Sequence, residues 1–274
     1  MSRFEIVEPE SLEEALSLMD REGEDVPVMA GGVALMIMMK QRLVRPKRVI
    51  TLRKIQDLRE IQSEPGVGVK IGSLATHQAI ERSPLVRSRC PVFAEAEQMV
   101  GNVRIRNMGT IGGEICHGDP RSDATPVLVG LGASVRLVGP GNPSVGRTIP
   151  LSEFLVDFMK TDIRAGELLA EITIPELPKG LQAIYLKHET STSTDWPALG
   201  VAAFVERRDK DDLDVRLVIG SVEAKPKEIM GLNDLVRDLG SGEGLFHALG
   251  ESAASQVEPL DDDMRVSPWY KKQL

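Results

Sequence analysis

The sequence predicts an α+β protein built from a small β-α-β unit, a mixed α+β unit, and a C-terminal antiparallel sheet with helices on one face. Three observations carry this. At 274 residues the chain exceeds what one hydrophobic core usually holds. Short strand-like runs alternate with helical periods up to about residue 176, placing boundaries at 1–55, 56–176 and 180–274. Beyond Pro178-Lys179-Gly180 strands come first and helices last, the order of a sheet covered by its own helices.

Each element has a local reason. Phe4 to Val7 reads as a strand, and Ser11-Leu12-Glu13-Glu14 is a capping box before the one-sided series Leu12, Ala15, Leu16, Met19. Val26 to Ala30 is a strand broken by Gly31-Gly32. Val33 to Gln41 is a helix apolar enough to be buried on most sides, its Met36, Met38 and Met39 packing in the core. Val49 to Leu52 closes the first unit. The second has strands at Ile61-Gln62, Val67 to Ile71, Val135 to Val138 and Leu168 to Ile174. Its helices fall at Thr76 to Glu81, Pro91 to Met99, Asp123 to Leu131 and Leu151 to Phe158. Gly101 to Arg121 shows neither period, and such a stretch inside a compact region is usually functional. The third unit has strands at Ala183 to Lys187, Ala198 to Glu206 and Val215 to Val222, then helices near Gly231 to Leu239 and Glu243 to Ser255.

Composition narrows the function classes. With 42% hydrophobic and 27% charged residues the chain is globular rather than disordered. A net charge of −8 argues against nucleic acid as a partner. Lys40, Arg42, Arg45, Lys47, Arg48, Arg53, Lys54 and Arg59 run against that trend, as a solvated face or a docking surface for an acidic partner. Polar residues interrupt the start and no apolar run approaches a membrane span, so a cytoplasmic chain is expected. The two cysteines, Cys90 and Cys116, cannot supply the four thiolates of an iron–sulfur cluster, and read as reduced.

Three segments could carry chemistry. Gly31-Gly32 stands between a strand and a helix, where unpaired N–H groups and the helix dipole favour an anion. The same pair also suits a plain turn needing positive φ. Asn107-Met108-Gly109-Thr110-Ile111-Gly112-Gly113-Glu114 puts three glycines and a hydroxyl together, able to turn several N–H groups and one O–H toward one anion, or to form a plain loop. It is neither a Walker A loop nor G-x-G-x-x-G. In Asp119-Pro120-Arg121-Ser122-Asp123, Asp123 either caps the next helix or accepts a ribityl or ribose hydroxyl.

Taken in order, Ala30-Gly31-Gly32, Val100-Gly101-Asn102, Ile105-Arg106-Asn107, Gly109 to Gly113, Asp119-Pro120 and Ser122-Asp123 resemble the medium, FAD-binding subunit of molybdenum-containing hydroxylases. This is the xanthine dehydrogenase and aerobic carbon monoxide dehydrogenase family. Gly166 to Leu169, Ile172 to Pro175, Tyr185, Lys187, Asp195, Gly200 to Ala203 and Gly220 to Val222 with Lys225-Pro226 extend the resemblance along the chain. It implies an FAD-dependent oxidoreductase subunit. Val28, Met29, Ala30, Gly31, Gly32, Val33, Ala34 and Leu35, with Thr110, Ile111, Gly112, Gly113 and Glu114, would hold the FAD pyrophosphate. Asp123 would contact the flavin's polar tail. Val100 would lie beside the isoalloxazine, Leu169 would meet it through its backbone, and Lys187 would stand near its polar edge. The partners implied are a large subunit with molybdopterin and a small subunit with two [2Fe–2S] clusters. The flavin would pass electrons to NAD, a quinone, a carrier protein or oxygen. No catalytic dyad and no metal site are expected on this chain. The alternatives are a non-catalytic scaffold relative with a weakened flavin site and a stand-alone FAD oxidoreductase.

Some positions depart from the family pattern. Val33-Ala34 stand where relatives have a hydroxyl or acid, leaving only backbone donors. Glu114 replaces Asn or Asp, bringing a charge to the diphosphate unless it meets a cation such as Arg104 or Arg106. Pro27 replaces a lysine, His188 to Ser191 lacks an arginine pair, and the chain ends soon after Trp269 to Lys272. Of His77, His117, His188 and His247, His117 and His188 lie next to the proposed flavin segments, with either ordinary hydrogen-bonded or flavin-tuning roles.

Overall fold

A computed structural model describes all residues except 1–2, 24–25, 141–143, 191–195, 210–211, 241 and 261–265. The first unit runs β1 (Glu5–Val7), α1 (Leu12–Glu22), β2 (Val28–Met29), α2 (Val33–Lys40), β3 (Arg48–Thr51). Its strands form a parallel sheet in the order β1-β3-β2. The capping box forms with a shift. Ser11 accepts from the Glu14 amide at 3.1 Å, while Glu14 reaches back to the amide of Glu10, not Ser11, at 2.7 Å. Three cations of this region are paired with acids of the same unit. Arg48 pairs with Glu5 and Glu22, Arg53 with Glu8, and Lys54 with Glu10.

The second unit comprises β4 (Ile61–Glu64), β5 (Gly68–Gly72), α3 (His77–Arg82), α4 (Pro84–Arg89), α5 (Pro91–Met99), α6 (Val103–Met108), α7 (Ile111–His117) and α8 (Ala124–Gly130). It continues with β6 (Ser134–Val138), β7 (Arg147–Pro150), α9 (Leu151–Phe154), β8 (Leu155–Asp157), β9 (Lys160–Thr161) and β10 (Leu168–Pro175). The antiparallel sheet has the order β4-β5-β10-β6-β7. Two expectations fail here. The aperiodic stretch after Gly101 contains two short helices, each fixed by a polar N-cap rather than by an apolar stripe: Asn102 starts α6 and Thr110 starts α7. The helix from Leu151 stops at Phe154, because the chain then turns back as the β8-β9 hairpin.

The third unit is β11 (Gln182–His188), β12 (Leu199–Asp209), β13 (Asp212–Gly220), β14 (Lys227–Glu228), α10 (Leu232–Leu239), α11 (Glu243–Gln256) and α12 (Pro268–Gln273), with its strands antiparallel in sequence order. Leu232, Val236 and Leu245 of α10 and α11 cover one face through Val215 and Ile219. The other face is not solvated. Tyr185, Ala202, Phe204 and Val218 join the core of the second unit beside Phe93, Val127 and Leu128. The larger of these, such as Phe204 and Val218, each contribute about 1.5–3 kcal/mol by full burial. A second shared core links Leu16 and Ile50 of the first unit to Leu58, Leu74, Val138 and Leu168 of the second.

The helix α2 corrects a further expectation. Although almost wholly apolar, it buries only Met39, and Ile37 is 48% exposed. Ile37 and Met38 border a cavity instead of the protein core.

Candidate flavin site

That cavity, of about 700 Å³, opens where the first and second units meet. Its first wall is the segment from Val28 to Leu35. Gly32 is the N-cap of α2 in the left-handed region, φ 76°, and has no side chain to cap the helix. The first intrahelical bond runs from Met36 N to the Gly32 carbonyl. The N–H groups of Val33, Ala34 and Leu35 therefore stand ahead of it, uncapped by any side chain, at the positive end of the helix. Val33 and Ala34 supply donors through the backbone despite their apolar side chains.

The opposing wall is Gly109 to Glu114, but it works differently from the expectation. Ile111 N donates to Ala75 O at 3.1 Å and Gly112 N to Ser73 O at 2.9 Å. Gly113 N donates to Thr110 Oγ1 at 3.2 Å and Glu114 N to Thr110 O at 3.0 Å. These four amides do not converge on an anion, because the turn is docked onto Ser73 and Ala75 and then enters α7. Ile111 faces the core and borders no part of the cavity. What this wall offers is the Thr110 hydroxyl hydrogen and a close backbone surface. A side chain at Gly112 would meet Ser73 Cβ at 2.5 Å.

Val100, Leu168 and Leu169 form the apolar end. A bulge at Ala170 interrupts the register of β10 on β6 immediately after Leu169, and Ser73 N bonds the Ala170 carbonyl at 3.0 Å. Trp196 and Arg121 close one side, the guanidinium 4.1 Å from the indole centroid. Arg121 also makes a two-pronged contact with Asp119, at 2.8 and 2.7 Å. Burial opposes the charge on Asp119, yet these bonds hold its carboxyl below the usual range. Trp196 follows directly on residues 191–195, so Asp195 and Ser191 lie outside the described residues.

Asp123 stands at the N-cap position of α8, but its side chain makes no capping bond. Ser122 takes that role, accepting from Thr125 N at 3.0 Å. Asp123 borders the cavity, and its oxygens bind Tyr185 Oη at 2.8 Å and Lys187 Nζ at 2.9 Å. Burial lifts its pKa to about 6 against the pull of both partners. Lys187 also donates to Met99 O at 3.0 Å, and it borders a neighbouring cavity of about 570 Å³ rather than the main one.

His77 is the residue that sequence reasoning undervalued. It borders the cavity, with Nδ1 2.7 Å from Glu97 and Nε2 3.3 Å from Glu114. Burial disfavours the charged ring, but the two carboxylates and the Glu97 hydrogen bond outweigh it, raising the pKa to about 9. Glu114 thus meets a histidine rather than Arg104 or Arg106. Arg106 instead pairs with Glu81. No spacing signal could have joined His77, Glu97 and Glu114, which come from three different helices. His117 also borders the cavity, whereas His188 lies 3.4 Å from Tyr270 Oη. Among the described residues no cluster of His, Cys, Asp and Glu could hold a metal, and no helix is long and apolar enough to cross a membrane.

An uncapped helix start and a glycine-packed turn bordering one cavity suit a dinucleotide-type cofactor. The family described as the FAD binding domain in molybdopterin dehydrogenase matches residues 2–177. This chain belongs to that family: it is an FAD-binding oxidoreductase subunit of the molybdenum hydroxylase type. The glyceraldehyde dehydrogenase medium chain of Sulfolobus acidocaldarius is 30% identical over 99% of this chain and 94% of its own length. The carbon monoxide dehydrogenase medium chain of Hydrogenophaga pseudoflava is 30% identical over 98% and 92%. A solved carbon monoxide dehydrogenase from that organism superposes with TM-score 0.91 at 29% identity, covering 99% of this chain and 93% of the other. Another, from Oligotropha carboxidovorans, gives 0.91 at 27% identity with the same coverage.

Proposed function

We propose that this chain takes electrons from [2Fe–2S] clusters on a small partner subunit and delivers them to an external acceptor, while a molybdopterin-bearing large subunit oxidises the substrate. When bound, FAD supplies the step between one-electron and two-electron carriers; the protein positions it and tunes its surroundings. The single observation that carries the reading is the cavity between α2 and Gly109–Glu114, with its uncapped helix start. The amides of Val33, Ala34 and Leu35 would bind the pyrophosphate, joined by the Thr110 hydroxyl. Val28 to Gly32 would shape the first wall, and Gly112 and Gly113 the second. Val100 and Leu169 would flank the ring system and exclude water from it. Asp123 would orient the polar tail, with Lys187 behind it as its counter-ion. Two cysteines on 274 residues are too few for a four-thiolate cluster, which supports the reading that the clusters sit on a partner.

The test is flavin content and partnership together. The purified chain is expected to be yellow, absorbing near ~450 nm as oxidised flavin does. It is also expected to copurify with iron- and molybdenum-containing chains. Colourless protein that takes up no added FAD would sink the reading, and yellow protein without partners would favour a stand-alone oxidoreductase.

A further inference from the structure

Glu114 of α7 borders the cavity, two residues from Gly112 and one from Gly113. Its Oε2 is buried without a hydrogen-bond partner. The Nε2 of His77 is 3.3 Å away, close enough to pair but not aligned to bond. The other ring nitrogen is taken by Glu97, whose side chain is fully buried and whose contact is short and aligned. One imidazolium therefore stands between two carboxylates, a cluster with net charge of about −1 when all three are charged. A diphosphate in the same cavity adds about two more negative charges.

The surrounding groups do not relieve this. From α3 comes His77, already shared; from α5 comes Glu97. The loop after α7 brings Asp119, and Ser122, which hydrogen-bonds Glu114. Arg121 in that loop binds Asp119 and stacks on Trp196. Asp123 is matched by Lys187 from β11 and bonded to Tyr185. Arg106 of α6, which opposes the charge on His77, is bound to Glu81. On α7 itself His117 faces the cavity. Of the carboxylates that border the cavity, Asp119, Asp123 and Glu167 are each held by a cation, whereas the Glu114 Oε2 has no hydrogen-bond partner, so added negative charge bears most directly on Glu114.

We propose that this chain binds FAD together with one proton from solvent, which adds to the Glu114 carboxylate and turns it into a neutral donor beside the diphosphate. The inference rests on the flavin reading above. His77 remains charged throughout, held by Glu97.

The experiment is calorimetric titration of the full-length, flavin-stripped chain with FAD at pH 7.5, in Hepes and in Tris. The difference in observed heat between buffers of unlike ionisation enthalpy gives the protons taken up. Uptake approaching one is expected, with the Kd for FAD rising up to about tenfold per pH unit through neutrality. Glu114→Gln is expected to bring uptake close to zero and flatten the pH dependence; Glu114→Asn serves as a second variant if the first fails to fold. His117→Gln is expected to keep the uptake. FAD binding without proton uptake in the native chain, or uptake that survives the loss of Glu114, overturns the proposal alone. No binding of FAD at any pH overturns the flavin reading and the proposal with it.

Discussion

Gly31 lies so close to Met108 that a Cβ on it would come 1.9 Å from the Met108 carbonyl oxygen and 3.0 Å from Gly109 Cα. The two glycine turns thus touch, and each fixes the position of the other. Gly31→Ala is expected to part them. Overpacking of this kind costs about 1–3 kcal/mol. Urea unfolding should show that loss, and flavin content should fall with it. An unchanged midpoint with full flavin would mean that the turns move independently.

Gly112 and Gly113 are expected to differ although adjacent. A Cβ at Gly112 meets Ser73 backbone and Cβ at 2.5–2.9 Å, so Gly112→Val should fail at folding. At Gly113 the nearest atoms are Thr110 Oγ1 at 2.9 Å and Ala30 Cβ at 3.6 Å. Gly113→Ala should fold, and lose flavin by crowding the Thr110 hydroxyl. Circular dichroism and released-flavin assays separate the two outcomes.

Asp123 and Lys187 form a buried pair, their side chains 5% and 2% exposed. Removing one partner of such a pair costs about 3–5 kcal/mol, whereas replacing both with apolar residues is often close to neutral. Lys187→Met is therefore expected to be more harmful than Lys187→Met combined with Asp123→Leu. Equal unfolding midpoints for single and double variants would contradict this.

His77 gives stability a pH dependence. Its pKa rises from 6.5 to about 9 on folding. The contribution is complete below pH 6.5 and is lost as pH climbs through about 9. It amounts to roughly 3 kcal/mol at most. Urea midpoints measured from pH 6 to 10 should fall over this window in the native chain and stay flatter in His77→Gln.

Trp196 borders the cavity, and the only other tryptophan, Trp269, is 69% exposed on α12. Adding FAD to the stripped chain is expected to quench the Trp196 emission. Trp196→Phe should remove that response while leaving the Trp269 signal. Equal quenching in both proteins would place the flavin elsewhere.

The sequence made most of the architecture legible because its elements announce themselves locally. Ser11 caps a one-sided apolar period, and Val135, Arg136 and Leu137 alternate within a sheet. The helices α6 and α7 escaped because they are shorter than two turns and rest on their caps and on contacts with distant residues. The hydrophobicity of α2 pointed inward, but hydrophobicity alone does not distinguish a protein core from a cofactor cavity. In the site, contiguous segments were readable and convergent ones were not. The direction of each amide at Thr110 to Glu114 depends on Ser73 and Ala75, and the His77 cluster depends on three helices meeting.

The Phe204 ring of β12 occupies the space that a Cβ on Gly130 of α8 would need, at 2.0 Å. With the second core joining Leu16 and Ile50 to Val138 and Leu168, no unit can loosen without disturbing its neighbour. Cofactor supply then governs the lifetime of the whole polypeptide. FAD at a hundred times its Kd adds about 2.7 kcal/mol to the folded state. Protease cleavage in α10 or α11, which border no part of the cavity, should slow accordingly.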